Sequence, residues 1–356
     1  MNNKLGILLV ALVALSIPAV LAVDVGQGVG ISITTEKFAP KIWMCDNRVL
    51  ADDNVENGAN GLSLQERKNN YAFEGESISW RVLVMDKNKI EEVQEVVGTI
   101  GQTQGTGNDV EVECVRTADT VSPINDCNAR ILEENLTVFK PSIMAVYDCS
   151  LTVETSNSMH GEYFITVEAK SVDGEAIMDE NEYFFLNPTI ALSIDGDLTF
   201  EDVRPGTTAY SQTMLIGNDA EAGSGVMLGM YISGTDFYDP ASSGARCSLD
   251  ANGIATNKLA LTAFSYFATN GYYSTATAGG ADSEGYLGIA YGDKITQAQE
   301  IIDGDAYGAG VSEYDWNTGN ALTPGAEMAI TFKLTMPEPC VGDFSEGQLY
   351  FWGEAI

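Results

Sequence analysis

One histidine, His160, is the only imidazole in this 356-residue chain. A Ser-His-Asp relay needs a histidine set between a nucleophile and a carboxylate. His160 lies instead in Ser158-Met159-His160-Gly161-Glu162, just ahead of an expected strand. The chain also has no G-x-S-x-G elbow, no H-E-x-x-H helix and no CxxC pair. The usual hydrolase and structural-zinc signatures are therefore missing. Positive charge is scarce: 18 Lys and Arg face 51 Asp and Glu, a formal net charge of −33. Nucleic-acid binding draws on cations that displace counterions from phosphates, and anionic membranes repel such a surface. Neither is an expected partner. With so many carboxylates, no single pair points to glycoside hydrolysis. The expectation is a chain that is not an enzyme.

What is present starts at the N-terminus. Met1-Asn2-Asn3-Lys4 leads into an apolar run from Leu5 to Leu21, with small residues at Val20 and Ala22. A short basic start, a hydrophobic middle and small residues before the cut form a secretory signal peptide, here residues 1–22. Left uncleaved, the 18 residues from Leu5 to Ala22 would be a short membrane anchor, the chain's one expected route to a membrane. No second apolar run of that kind follows. The expected location is extracellular or at the cell surface.

Length suggests two domains after the leader, 23–188 and 189–356, divided at Asn187-Pro188. Acidity is shared between them. Residues 24–190 carry 12 basic and 29 acidic side chains, a net of −17; residues 191–356 carry 5 and 22, also −17. An even spread reads as a solvated acidic surface suited to salt rather than an acidic tail. The six cysteines divide four and two, and an even count in an exported chain argues for disulfides. Cys247 and Cys340 are the pair available in the second half. In the first half three pairings are open; the expectation leans to Cys114–Cys127 with Cys45–Cys149.

Ile78, Trp80, Val82 and Val84 alternate, so they share one face of a strand. Similar runs cover Val93–Ile100, Val110–Val115, Ala145–Glu154, Tyr163–Ala169 and Tyr183–Leu186, separated by Gly, Asn, Asp and Ser. About seven strands of this kind predict an immunoglobulin-like β-sandwich. The second half continues with strand-like runs at Ala209–Ile216, Val226–Ser233, Leu259–Phe267, Met328–Leu334 and Gln348–Trp352. The fold class expected is all-β, two sandwich domains of immunoglobulin-like or jelly-roll-like type. A Gly- and Tyr-rich stretch at about 270–325 is too long for a hairpin loop and reads as an insertion or a functional loop. Inside it, Ile295, Ala298, Ile301 and Ile302 have helical spacing. Residues 24–35 end in an alternating pattern that reads as a first strand, free to pair within its own domain or with a neighbour's sheet edge.

The run Phe200-Glu201-Asp202-Val203-Arg204-Pro205-Gly206-Thr207-Thr208-Ala209-Tyr210-Ser211, followed by Ile216-Gly217-Asn218 and a glycine-rich turn, resembles a recurring segment of secreted β-sandwich domains. These include TasA/camelysin-type matrix and filament proteins, and related pairs of domains occur in archaeal exported proteins. The resemblance implies self-assembly by strand exchange. The extra N-terminal domain and the 270–325 stretch depart from that pattern.

Three candidate sites follow. Asp195-Gly196-Asp197 with Glu201 and Asp202 gathers carboxylates near the domain joint, the oxygen-ligand chemistry that Ca²⁺ takes, though not at EF-hand spacing. Two acidic turns are the simpler reading. The second half holds 11 of the 15 tyrosines, and Tyr272, Tyr273, Tyr286 and Tyr291 fall in the long stretch. Tyr beside Asp and Asn suits sugar stacking and protein contacts, and also ordinary packing. Asn135-Leu136-Thr137 is a glycosylation sequon. The function expected first is a structural subunit of a surface layer or filament that self-associates through sheet edges. The alternative is an adhesin or a module binding glycan or a surface protein through 270–325.

Overall fold

The computed structural model describes residues 30–51, 69–105, 110–117, 127, 135–241, 246–247, 256–303 and 319–356. The leader, residues 23–29 and the tyrosines at 307 and 314 lie outside the described residues. Two compact units emerge, Met1–Lys37 and Phe38–Ile356. In the first, residues 30–37 carry no regular secondary structure, so the expected opening strand does not form there. No described helix is long and apolar enough to cross a membrane.

The first half of the larger unit contains β1 (Lys41–Ala51), β2 (Tyr71–Ala72), β3 (Ser77–Met85), β4 (Val93–Gly101), β5 (Val110–Arg116), β6 (Met144–Thr152), β7 (Gly161–Ser171) and β8 (Gly174–Leu186). They run in the order β1-β3-β6-β5-β4-β7-β8-β2. β5 belongs to two layers: its start, Val110–Glu113, pairs with β4, and its end, Cys114–Arg116, pairs with β6. The layers close on one core. Ile78, Trp80, Val82 and Val84 meet Ile100, Val112, Ile165, Val167 and Phe184 there, as the alternation of β3 predicts. Burying each such aliphatic side chain contributes about 1.5–3 kcal/mol.

The opposite face of β3 is buried as well. Leu83 and Met85 join Trp43, Cys45, Met144 and Val146 under Cys127 and Leu136. This second core depends on β1, a strand the sequence conceals. Its middle, Asp46-Asn47-Arg48, is polar, and its pairing with β3 breaks register between Met44 and Arg48.

The same two faces correct the disulfide expectation. The structure joins Cys45 to Cys127 and Cys114 to Cys149. Cys149 faces the core with Trp80, and Cys45 faces the second core, so the two lie on opposite sides of one sheet. Cys114 stands directly opposite Cys149 in the β5–β6 pairing. In the second half Cys247 is bonded to Cys340.

The second half comprises β9 (Leu192–Asp195), β10 (Thr208–Tyr210), β11 (Met214–Asn218), β12 (Leu228–Gly234), β13 (Phe237–Tyr238), β14 (Lys258–Leu259), β15 (Phe264–Asn270), β16 (Tyr273–Ser274), β17 (Leu287–Gly288), β18 (Gln299–Glu300), β19 (Ala321–Leu322), β20 (Glu327–Thr335) and β21 (Leu349–Ala355). One sheet runs β16-β15-β20-β11-β9, with β10 on β20 and β17 on β15. A second is built around β12: β21 pairs along its whole length, while β18 and β19 take short stretches. β13 and β14 form a separate two-stranded ribbon. β20 alternates cleanly. Met328, Ile330, Phe332 and Leu334 are buried, and Ala329, Thr331 and Lys333 turn the other way.

The described parts of 270–325 add short strands to both sheets rather than folding as a separate body. The helical spacing at 295–302 does not give an α-helix. A single 3₁₀ turn at Ile295–Gln297 is followed by β18, because Ile301 donates its N–H to Met230 of the neighbouring strand. Ile301 and Ile302 are both buried in the core.

The cores change over at Asn187-Pro188, yet the halves interlock. Tyr71 and Phe185 lie in the core of the second half, with Phe73 packed against it. Asn69 Nδ2 and Tyr71 Oη donate to the carbonyl of Ile356. Asn187 has a left-handed backbone at φ 50°, which asparagine tolerates, and its Nδ2 donates to the carbonyls of Glu154 and Met159 at 2.8 and 2.6 Å.

Candidate functional site

The outward face of the β15–β20 sheet gathers an ordered group of polar and aromatic side chains. Lys333 turns outward because its strand neighbours Phe332 and Leu334 are buried. Phe267 turns outward from β15 by the same alternation. Across them lies a tight turn over residues 282–285. Asp282 Oδ1 accepts from the backbone N–H of Glu284 and Tyr286 at 2.9 and 3.0 Å, the way an Asx turn is held. Gly285 has φ 87°, and a Cβ there would lie 3.0 Å from Ala276 Cα and Phe267 Cε2. Only glycine combines that conformation with that approach.

The turn delivers two carboxylates to one ammonium. Lys333 Nζ donates to Asp282 Oδ2 and to Glu284 Oε2, the latter at 2.8 Å. It also stands 5.1 Å from the centre of the Tyr286 ring, a cation–π distance. Tyr210 Oη donates to Glu284 at 2.9 Å. The Tyr210 and Phe267 rings lie 5.7 and 5.8 Å from Tyr286. The bond to Lys333 holds the Asp282 carboxyl down at about 2. The same ammonium lowers Glu284, and its two carboxylates raise Lys333. Hydrogen bonding to Glu284 raises the Tyr210 hydroxyl.

This arrangement has three chemical consequences. The rings are fixed in place, so little side-chain entropy is lost when a partner stacks on them. Both carboxylates keep acceptor lone pairs for hydroxyl groups. The lysine is already clamped, and two carboxylates against one ammonium leave the group negative, which repels anions. A neutral, hydroxyl-rich ligand meets all three conditions.

The expected tyrosines are dispersed. Tyr286 alone of the four joins this group. Tyr272 and Tyr273 sit edge to face, 5.8 Å apart, at the turn between β15 and β16, where Tyr272 is 88% exposed. Tyr273 packs against the second-half core. Tyr291 lies farther along the chain, bridged to Gly234. Tyr210, Phe267, Asp282, Glu284 and Lys333 were not singled out by the sequence. The signal was faint: Asp282-Ser283-Glu284-Gly285 is a turn pattern, and Lys333 is a lone cation in an alternating strand.

Asp195, Asp197, Glu201 and Asp202 are exposed, around Gly196 at φ 111° and Asp202 at φ 49°. Among the described residues, no three His, Cys, Asp or Glu side chains come together as a metal site would require. Asn135 is exposed while Leu136 is buried beside it. His160 Nε2 lies 3.1 Å from Glu221 Oε2, which also accepts the Thr189 N–H at 3.1 Å. The ring stands edge-on to Phe185 at 6.2 Å, so His160 braces the joint between the halves.

Neither a family model nor a curated protein matches the sequence. Among solved structures, the chain is similar to the C-terminal domain of the Streptococcus agalactiae AgI/II polypeptide BspA, at 11% identity over 89% of this chain and 96% of that one, with a TM-score of 0.28. It is similar too to the C-terminal domain of the Streptococcus pyogenes antigen I/II-family protein AspA, at 9% identity, 89% and 96% coverage and a TM-score of 0.25. At such scores the superpositions carry no weight for function, which rests on this chain's own geometry.

Proposed function

We propose that this chain is an exported cell-surface binding module that holds a neutral glycan on the Tyr210–Tyr286 face. One observation carries the reading: two tyrosines and a phenylalanine are fixed beside a carboxylate pair whose one partner cation among the described residues, Lys333, is already bound. Sugars offer an apolar ring face for stacking and hydroxyls for carboxylate acceptors. Three disulfides and the leader support an oxidising, extracellular setting. No step of this reading calls for catalysis. The strand order β1-β3-β6-β5 against β4-β7-β8, with β2 parallel to β8, supports an immunoglobulin-like first half as its stalk or spacer. Its bridge differs from antibody domains, since Cys114–Cys149 joins neighbouring strands.

The test is binding of the mature chain to an array of neutral and charged glycans. Neutral glycans are expected to bind, and Tyr286→Ala or Tyr210→Ala is expected to lower affinity by about thirtyfold, as loss of an interfacial hot spot does. Retention of full affinity by both variants would remove the reading.

A second reading, a surface-layer or filament subunit, draws on β21. Among the described residues this seven-residue strand pairs with β12 alone, and it carries Tyr350 stacked on Trp352 at 5.7 Å. Open edges of this kind recruit further strands. Mass measurement of the purified chain, with and without added calcium, separates the two readings: large assemblies support the subunit, a monomer the module.

A further inference from the structure

We propose a second subsite, formed by Tyr238, Tyr291, Lys258 and Asp236, which makes the ligand an extended glycan chain rather than a single terminal sugar. The inference rests on the glycan reading above and adds the length of the ligand to it.

The second group shares with the first a lysine held by a carboxylate beside a tyrosine, with one carboxylate in place of two. Lys258 on β14 stands directly opposite Tyr238 on β13. Its Nζ lies 2.9 Å from Asp236 Oδ2, while Asp236 Oδ1 accepts the Leu261 N–H at 2.8 Å. The carboxylate is thus oriented by backbone and the lysine is held by the carboxylate, as at Lys333. The Asp236 bond raises the Lys258 ammonium, and Tyr291 is bridged to Gly234, two residues before Asp236. Tyr238 is 42% and Tyr291 62% exposed. The second half has only five basic residues, and two of them are held by carboxylates beside a tyrosine.

A continuous strap links the groups. Leu287 pairs with Tyr266 in one sheet, and Tyr291 bridges Gly234 in the other. Hydrogen bonds from Gly234 N–H to Ala290 and from Gly292 N–H to Gly234 fix its far end at 3.0 and 2.9 Å. Leu287 and Ile289 pack into the core, which anchors the strap from beneath. Tyr286 and Tyr291 are five residues apart along it, at most about 18 Å even if fully extended. Two stacking platforms at that spacing can engage one chain ligand. The second contact then forms at high effective concentration.

The test is a calorimetric titration with length ladders of neutral oligosaccharides, gluco-, manno- and N-acetylglucosamine oligomers from disaccharide to octasaccharide. Wild-type affinity is expected to climb with length by about a hundredfold. Tyr238→Ala and Tyr291→Ala are expected to flatten that climb and leave disaccharide affinity within about twofold, because the first platform is untouched. Tyr286→Ala should lower affinity at every length. Tyr238 and Tyr291 are exposed and Tyr286 is half-buried, and circular dichroism with a melting curve confirms that each variant folds. A climb that survives both Tyr238→Ala and Tyr291→Ala overturns the second subsite and leaves the first standing. An absence of binding to every ladder overturns the glycan reading and the subsite with it.

Discussion

In the first half Trp43, Trp80, Tyr71 and Phe184 are each no more than 3% exposed, whereas in the second Tyr210, Tyr238, Tyr272 and Tyr291 are 42–88% exposed. The large apolar side chains that the described part of the larger unit's first half exposes are aliphatic: Val115, Val138, Val172 and Ile177. Charge does not explain the difference, since each half carries a net of −17. What differs is exposure: the described Phe, Tyr and Trp rings of the first half are buried or half-buried, while the second half, which also buries Tyr266 and Phe332, exposes four tyrosines. In the second, tyrosines stand at the surface, where an apolar body and a hydroxyl serve recognition at low entropic cost. The proposed recognition face draws on this exposure in the second half.

The most forceful way to break that division is at Tyr71, a first-half residue in the second-half core. Tyr71→Ala is expected to cost about 3–5 kcal/mol, the range for emptying an aromatic site. It should also broaden the melting transition, because one of the contacts that interlock the halves is lost while Phe185, Asn69 and His160 remain. A transition as sharp as wild type in calorimetry would show that those remaining contacts suffice.

A smaller effect tests whether first-half rings are packed to the limit. A Cβ on Gly98 would lie 2.8 Å from Trp80 Cζ2 and 3.6 Å from Cys114 Sγ. Gly98→Ala is therefore expected to destabilise by about 1–3 kcal/mol through overpacking. A denaturant midpoint unchanged from wild type would mean that the indole has room to move.

The smallest effect concerns the second-half surface. Asp282 has its pKa depressed from 3.8 to about 2, so its contribution is present above 3.8 and is lost as pH falls through about 2. The pair is partly exposed, which limits the contribution to about 1 kcal/mol or less. Asp282→Asn is expected to lower stability at neutral pH by up to that amount and to flatten its loss between about pH 4 and 2. Melting curves across that range decide it; an identical slope in both proteins would mean that Lys333 is held by Glu284 alone.

The strands of both halves were largely legible, because their burial follows a two-residue period that composition cannot hide. Ile78 to Val84 and Met328 to Leu334 are the clearest cases. β1 was not, since a polar centre and a register break erase its period. That one omission misdirected the cysteines: without β1 nothing showed that Cys45 and Cys149 face opposite sides. Tyr286 could be picked out as a surface candidate, but its companions could not. Tyr210 and Lys333 reach Glu284 from positions 74 and 49 residues away. Such a site exists only once β10, β15 and β20 share a sheet, and no local spacing announces it.

One feature of the first half bears on how its two layers are tied together. β5 is threaded through both layers and is cross-linked to β6 at Cys114–Cys149. Parting the two layers would have to pull the start of this strand from β4, while a covalent stitch keeps its end on β6. The join between the layers is thus anchored permanently on one side.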